Sequence, residues 1–495
     1  MERSKHLVLF PFMAQGHLIP YLALARLLER RSGVSRVSLV STPLNIAKLA
    51  ASLPADSSVN LVELPFCSTD HGLPPRTENT DCLTSQFQLP FYLATQSSTL
   101  KSSFEELVSG ICKRYDDLAV CIISDFLLGW TVEVAEKLSI FHVVFIPGGA
   151  YPFGMFFSLW LNLPHCNADK GEEDQFTLPD FPEALTYRYS RLPKYLTLCD
   201  ETNPWTRFSQ SQLNMCLRSD GILFNTVKEL EGIGLVYFSR KTNRPVWTIG
   251  PIVTSKLDSQ ASCSQPCVQW LNLHQPSSVL YVCFGSQFSI SAQQMRGLAK
   301  GLEASGKPFI WVVRPPLECD YSPATEDFNL DDYLPEGFEL RIRERQQGIL
   351  VRKWAPQVDI LAHESTGAFL SHCGWNSVME SLTHGVPIIG WPLSAEQYYT
   401  SKMLVEDFQV SVEIANGESM EIDSDHVGAV IDMVLEGTNM GGQMRRKALI
   451  IRDAMAAAIK EGEEFEGSSV RSLNDFLRAS FSTGKTDRAT LSPLI

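Results

Sequence analysis

HLVLFPFMAQGHLIPYLALARLL, residues His6–Leu28, holds the unit from which the rest of the chain is built. Leu7–Phe10 is a short apolar run, and Leu18–Leu28 repeats apolar residues at helical intervals. Between them, Gln15-Gly16-His17 leaves the strand and opens the helix. Strands that are apolar on both faces and alternate with helices belong to a parallel sheet covered by helices.

The same alternation recurs on either side of this unit. Strands are expected at Val37–Val40, Leu61–Leu64, Ala119–Ser124, His142–Ile146, Ile222–Asn225 and Val246–Ile249, with helices at Phe104–Cys112, Thr131–Leu138 and Lys228–Phe238. Val253–Pro266 (VTSKLDSQASCSQP) is Ser-rich and poor in large apolar residues, so it reads as a linker. The pattern then restarts, with strands at Val279–Phe284, Phe309–Val313, Gly348–Val351, Ala368–Ser371 and Val386–Gly390 and a helix at Ala292–Ala304. Pro315–Pro335 reads as an acidic surface loop and Ser482–Ile495 as a polar tail. The expected fold is α/β, with two Rossmann-like, doubly wound domains facing a cleft. They span 1–250 and 266–465, joined by 251–265, and a C-terminal helix near 468–480 packs back on the first. Ligands of such sheets sit at the carboxyl ends of the strands.

Composition narrows the partners. The chain has 495 residues, 44% hydrophobic, with Lys+Arg 42 against Asp+Glu 56 and a net charge of −14. Nothing in that balance supplies the basic face that nucleic acid or an anionic membrane requires. The 12 cysteines are scattered without metal-ligand spacing, as in the reduced interior of a cytoplasmic protein. Met1–Lys5 leads straight into the first strand, with no signal peptide. The one uncharged run of membrane length, Val143–Pro164, is interrupted by Pro147, Gly148, Gly149, Pro152 and Gly154, so no membrane span is expected.

Common nucleotide motifs fail. Gly301–Pro308 (GLEASGKP) approximates a P-loop, but it has Pro at the magnesium-binding position and precedes a strand. No G-x-G-x-x-G opens either domain. Ser371-His372-Cys373-Gly374-Trp375-Asn376-Ser377 is more informative, because it joins a strand to the start of a helix. Gly374 permits close backbone approach, and His372, Asn376 and Ser377 offer donors, which suits an anion at a helix N-terminus. Gly285-Ser286 ends the opening strand of the same domain and offers a second donor. In the first domain, His17 opens a helix whose positive end favours the neutral, base-competent imidazole. Asp125 ends another strand in the same layer, and a carboxylate behind an imidazole orients it and stabilises its protonated form.

Trp354–Gln397, WAPQVDILAHESTGAFLSHCGWNSVMESLTHGVPIIGWPLSAEQ, closely resembles the signature of plant family-one UDP-sugar-dependent secondary-product glycosyltransferases. His17 and Asp125 fall where that family places its catalytic pair, so the resemblance spans the chain. It implies the GT-B architecture, a donor on the C-terminal domain and an acceptor on the N-terminal one. By this likeness uracil stacks on Trp354, with main-chain bonds from Ala355 and help from Gln357. Glu380 takes the ribose hydroxyls; Ser286, His372, Asn376 and Ser377 take the diphosphate, with Gly374 at the helix start. Trp375, Glu396 and Gln397 hold the sugar, and a final Gln resembles a glucose-preferring site. The chain departs from many relatives at Phe145–Ala150, which carries no hydroxyl to face the sugar.

The implied reaction is inverting transfer of glucose from UDP-glucose to a hydroxyl of a flavonoid, another phenolic or a terpenoid, giving a β-glucoside. No metal or cofactor beyond the UDP-sugar co-substrate is expected, and a monomer suffices. The acceptor is expected near Gly16, Phe87, Phe126, Tyr151, Phe157 and Trp205, within the aromatic-rich segments Cys82–Tyr92, Gly148–Phe157 and Tyr187–Trp205. Two rivals stand beside this reading. A GT-B UDP-sugar epimerase would convert UDP-glucose without an acceptor, and a catalytically silent binding protein would release no UDP.

Overall fold

The computed structural model describes residues 4–481 except 84, 115–117, 168–173, 185, 254–265, 317–328, 353, 418–421, 438 and 463–464. Most of the linker, much of the Pro315–Pro335 loop and the Ser482–Ile495 tail therefore lie outside the described residues. The chain divides into two compact units: residues 1–190, 194–254 and 457–495 form the first, and 191–193 with 255–456 the second.

The first unit contains β1 (Ser4–Phe10), β2 (Arg36–Ser41), β3 (Asn60–Glu63), β4 (Leu118–Asp125), β5 (Phe141–Ile146), the short antiparallel pair β6 (Phe176–Thr177) and β7 (Thr186–Tyr187), then β8 (Gly221–Phe224) and β9 (Val246–Thr248). Seven of these form one parallel sheet in the order β3-β2-β1-β4-β5-β8-β9. The central strands are buried on both faces; every residue of β5, FHVVFI, is buried. Each such side chain contributes about 1.5–3 kcal/mol of transfer free energy. Strand order reverses between β1 and β4, which opens a crevice at their carboxyl ends. The helix Ser468–Ser480 returns to this sheet: Phe476 packs edge-on against Trp247 of β9 at 5.5 Å, and the Thr248 amide donates to Ser472 Oγ at 3.0 Å.

The second unit contains β10 (Val279–Cys283), β11 (Phe309–Val312), β12 (Gly348–Val351), β13 (Thr366–Ser371), β14 (Ile388–Gly390) and β15 (Ser411–Glu413). They form a parallel sheet in the order β12-β11-β10-β13-β14-β15, so the reversal falls between β10 and β13.

The helix expected at Lys228–Phe238 instead spans Gly232–Thr242. The cause is Glu231. Its buried carboxylate accepts the Ala150 and Tyr151 amides at 2.8 and 3.0 Å, capping the helix Ala150–Asn162 from a distant part of the chain. Burial raises the Glu231 carboxyl pKa, and the two amide bonds lower it. The uncharged run Val143–Pro164 becomes β5, a turn and that helix. Among the described residues no helix is long and apolar enough to cross a membrane.

Candidate active site

At the first crevice, Ala14 in extended conformation stops the backbone after β1, and the helix Gln15–Glu29 begins with Gly16 and His17 in its first turn. Asp125 closes β4 and caps the 3-10 turn Phe126–Leu128, its Oδ1 accepting from the Leu127 amide at 3.0 Å. That leaves Oδ2 for His17, and the Nδ1···Oδ2 distance is 2.7 Å. A carboxylate oxygen accepts, so Nδ1 carries the proton and Nε2 presents the lone pair. Asp125 is fully buried, whereas the His17 side chain keeps 20% of its exposure. A carboxylate at that separation pays back the positive charge that a proton on Nε2 would create.

Aromatic rings enclose this pair. Phe126 lies 5.8 Å from His17 and Phe12 lies 5.6 Å away on another side. From Phe12 the chain of rings runs to Tyr92 at 4.7 Å and on to Trp205 at 5.1 Å. From Phe126 it runs to Phe153 at 5.0 Å and Phe156 at 6.2 Å. Gly16 is exposed, with nothing within 4 Å of the position a Cβ would take, and Phe87 is half-buried against the same apolar cluster.

Two of the expected acceptor residues have rings packed within the interior. Phe157 is fully buried and packs on Phe238 at 5.1 Å, and Tyr151 is 4% exposed and packs on Phe181 at 5.8 Å. Both rings serve the interior of the first unit. The helix Ala150–Asn162 is apolar almost all round, so its sequence does not show which face turns inward. The core ring Phe12, which packs directly on His17, was missed, while the half-buried Tyr92 and Phe156 stand one ring further out, against Phe12 and Phe126.

In the second unit, β13 ends at Ser371 and the helix Trp375–Thr383 starts with Gly374 as its cap. His372 stands between two glycines. A Cβ on Gly374 would fall 2.4 Å from His372 Nε2, and one on Gly285 (φ +78°) would fall 2.8 Å from the same ring. Among the described residues no carboxylate backs this imidazole, and its buried Nδ1 has no hydrogen-bond partner. Burial pushes its pKa down to about 4. It is therefore a neutral ring at pH 7, carrying one N–H.

Gln357, Ser377 and Glu380 come together. Gln357 Nε2 donates to Ser377 Oγ at 3.0 Å and to Glu380 Oε2 at 2.7 Å, while its Oε1 accepts from Tyr281 at 3.2 Å. Tyr281, inside β10, carried no signal in the sequence. Burial raises the Glu380 carboxyl to about 7, against the lowering effect of the Gln357 bond. Trp354 is 76% exposed, Ala355 is buried, and Ser286 and Asn376 are half-buried. Trp375 is buried. Glu396 caps the helix Gln397–Glu406, and Gln397 Oε1 accepts the Leu393 and Ser394 amides at 3.0 Å each. That fixes the Gln397 amide with its NH₂ turned from those two amides.

Known proteins agree with this picture. Residues 253–439 match the family model for UDP-glucoronosyl and UDP-glucosyl transferase. UDP-glycosyltransferase 92A1 of Arabidopsis thaliana is 42% identical over 96% of this chain and 97% of its own. Crocetin glucosyltransferase 3 of Crocus sativus is 41% identical over 82% of this chain and 86% of its own. The crystal structure of Glycyrrhiza uralensis UGT73P12, complexed with glycyrrhetinic acid 3-O-monoglucuronide, superposes with a TM-score of 0.81 at 28% identity, covering 96% of each chain. Phytolacca americana UGT2, complexed with UDP-2fluoro-glucose and pterostilbene, gives 0.77 at 27% identity over 97% of this chain and 99% of that one. The two α/β units are those of the GT-B class, and the chain belongs to the plant family-one UDP-sugar-dependent glycosyltransferases, enzymes that glycosylate small plant metabolites.

Proposed function

We propose that this enzyme transfers glucose from UDP-glucose to a hydroxyl of a small lipophilic phenolic or terpenoid, with inversion, to give a β-glucoside. The observation that carries the reading is the His17–Asp125 bond of 2.7 Å inside a shell of aromatic rings. His17 Nε2 takes the acceptor proton as the oxygen attacks the anomeric carbon, and Asp125 stabilises the imidazolium that forms. UDP departs from the opposite face of that carbon. Its growing charge meets His372, the Ser377 hydroxyl and the helix end at Gly374, without a metal ion. Exposed Trp354 offers a stacking face to uracil, with Ala355 and Gln357 beside it, and Glu380 accepts from the ribose hydroxyls. The Gln397 NH₂ and Glu396 are assigned to the sugar. Gly16, Phe87, Phe126 and Trp205 are assigned to the acceptor, joined by Tyr92 and Phe156.

Glucose as the sugar and an aromatic or terpenoid acceptor are also what the names of relatives suggest, such as the crocetin and scopoletin glucosyltransferases of Crocus sativus and Nicotiana tabacum. A monomer is the proposed state, and free cysteines in both units suit the cytoplasm. The test is a screen for UDP release from UDP-glucose with phenolic, terpenoid and glycoside acceptors, in the presence of EDTA. Acceptor-dependent release with formation of a β-glucoside is expected. Activity lost to the chelator and restored by Mg²⁺ or Mn²⁺ would overturn metal independence, and a new nucleotide sugar formed without acceptor would favour epimerisation.

A further inference from the structure

The roles assigned above leave Arg314 of the second unit unused. Arg314 stands two residues beyond β11, at the carboxyl end of the sheet. In the strand order, β11 lies next to β10 on the side away from β13. Three adjacent strands thus end in Arg314, in Gly285-Ser286 and in His372. Arg314 is half-buried, and its Nη1 reaches the Gly285 carbonyl at 3.4 Å. Gly285 is also the residue whose missing Cβ makes room for the His372 ring, so a single residue joins the guanidinium to that imidazole.

Among the described residues, several arginines are answered by carboxylates, as Arg218 is by Glu136, Arg240 by Glu183, Arg341 by Glu303 and Arg352 by Glu339, and the half-buried Arg445 is held by the Ser277 hydroxyl and the Gly367 carbonyl. Among the described residues, Arg314 has no carboxylate partner and no hydrogen bond besides the one to Gly285. With Phe284, Ile290, Met295 and Trp311 it lines a small, mostly apolar hollow. A partly desolvated cation without an anion is costly, and an anion arriving from solution removes that cost.

We infer that Arg314 binds the diphosphate of the nucleotide sugar. This rests on reading the second unit as the donor site. One of five guanidinium N–H groups faces Gly285; the others form a planar fork matched to phosphate oxygens. The contact strengthens as the glycosidic bond breaks, because the electron pair of that bond leaves on UDP. It also supplies what His372 does not, since a neutral imidazole carries no charge. The −14 of the whole chain is no obstacle, because one half-buried fork acts over a few ångströms.

The experiment compares the affinities of uridine, UMP and UDP for the full-length enzyme and for Arg314→Gln, Arg314→Lys and Trp354→Ala. Arg314→Gln is expected to weaken UDP by about 10- to 100-fold while leaving uridine unchanged. Arg314→Lys, which keeps the charge and most of the packed stem, should recover part of the loss and certify a folded protein. The salt dependence of UDP binding should flatten in Arg314→Gln. Equal weakening of uridine and UDP would reduce Arg314 to a support for the Gly285 loop and overturn the inference, as would an unchanged UDP affinity. If Trp354→Ala leaves all three affinities untouched, the donor reading itself fails and this inference with it.

Discussion

His17 and His372 both stand beyond a central strand, each where the strand order of its sheet reverses, yet their surroundings differ in kind. Behind His17 lies a fully buried carboxylate 2.7 Å from Nδ1; around His372 lie two glycines, and its Nδ1 has no partner. The first arrangement rewards protonation of the ring. The second, by burial, holds the ring neutral with a pKa near 4. Position at a strand end makes a histidine available for chemistry, and the group packed behind it decides whether it moves a proton or donates a hydrogen bond.

The largest expected effect falls on the carboxylate-backed ring. His17→Ala should lower turnover by roughly 10²- to 10⁴-fold, measured as glucoside formed at saturating donor and acceptor. A near-normal rate would remove the distinction between the two histidines. On the other side, Gly374→Ala places a methyl group 2.4 Å from His372 Nε2, so the ring must move. The donor KM should rise by about 10- to 100-fold with the acceptor KM little changed, and an unchanged donor KM would detach His372 from the donor.

Glu380 sharpens the contrast through pH. With its carboxyl near 7, it is charged above that value and neutral below it. Only the charged form accepts from both ribose hydroxyls, so the donor KM should rise severalfold between pH 8 and pH 6. Glu380→Gln should flatten that profile, and an equally pH-dependent variant would break the assignment.

A third histidine gives the smallest effect and a control. His142, the second residue of β5, is packed against Ser124 and Thr131 at 3.0 Å, and burial lowers its pKa to about 3. The unfolded chain takes up that proton near pH 6.5, so stability present at neutral pH is lost on acidification from 6.5 toward 3. The slope for one such group is about 1.4 kcal/mol per pH unit. Thermal midpoints should fall from pH 7 to pH 5, and less steeply in His142→Gln; parallel slopes would refute the buried neutral ring.

The alternation of strands and helices was legible because apolar runs and helical periodicity leave a strong pattern: the strand Gly348–Val351 and the helix Thr131–Leu138 have the expected bounds. β15, Ser411–Glu413, was missed because an edge strand of three residues with two polar ones has no apolar run. The helix Pro204–Cys216 was missed as an element because its buried Thr206, Ser209 and Gln212 are polar, which hides its inner face. The residues assigned to the donor could be named together because most of them lie within one strand–turn–helix and its neighbours. Contact between His17 and Asp125 was not legible, since they are 108 residues apart and meet only through the pairing of β1 with β4. The acceptor shell was half legible: segments rich in aromatics could be named, but Phe156 and Phe157 share one apolar helix and only its packing tells the half-buried ring from the core ring.

The most direct test of the contrast is the affinity of UDP, measured by titration calorimetry, for His17→Ala and His372→Ala side by side. The account predicts that His372→Ala loses about tenfold or more in UDP affinity, as for a hydrogen bond to a charged group, while His17→Ala binds UDP as the parent does. Equal losses, or a loss confined to His17→Ala, would contradict it.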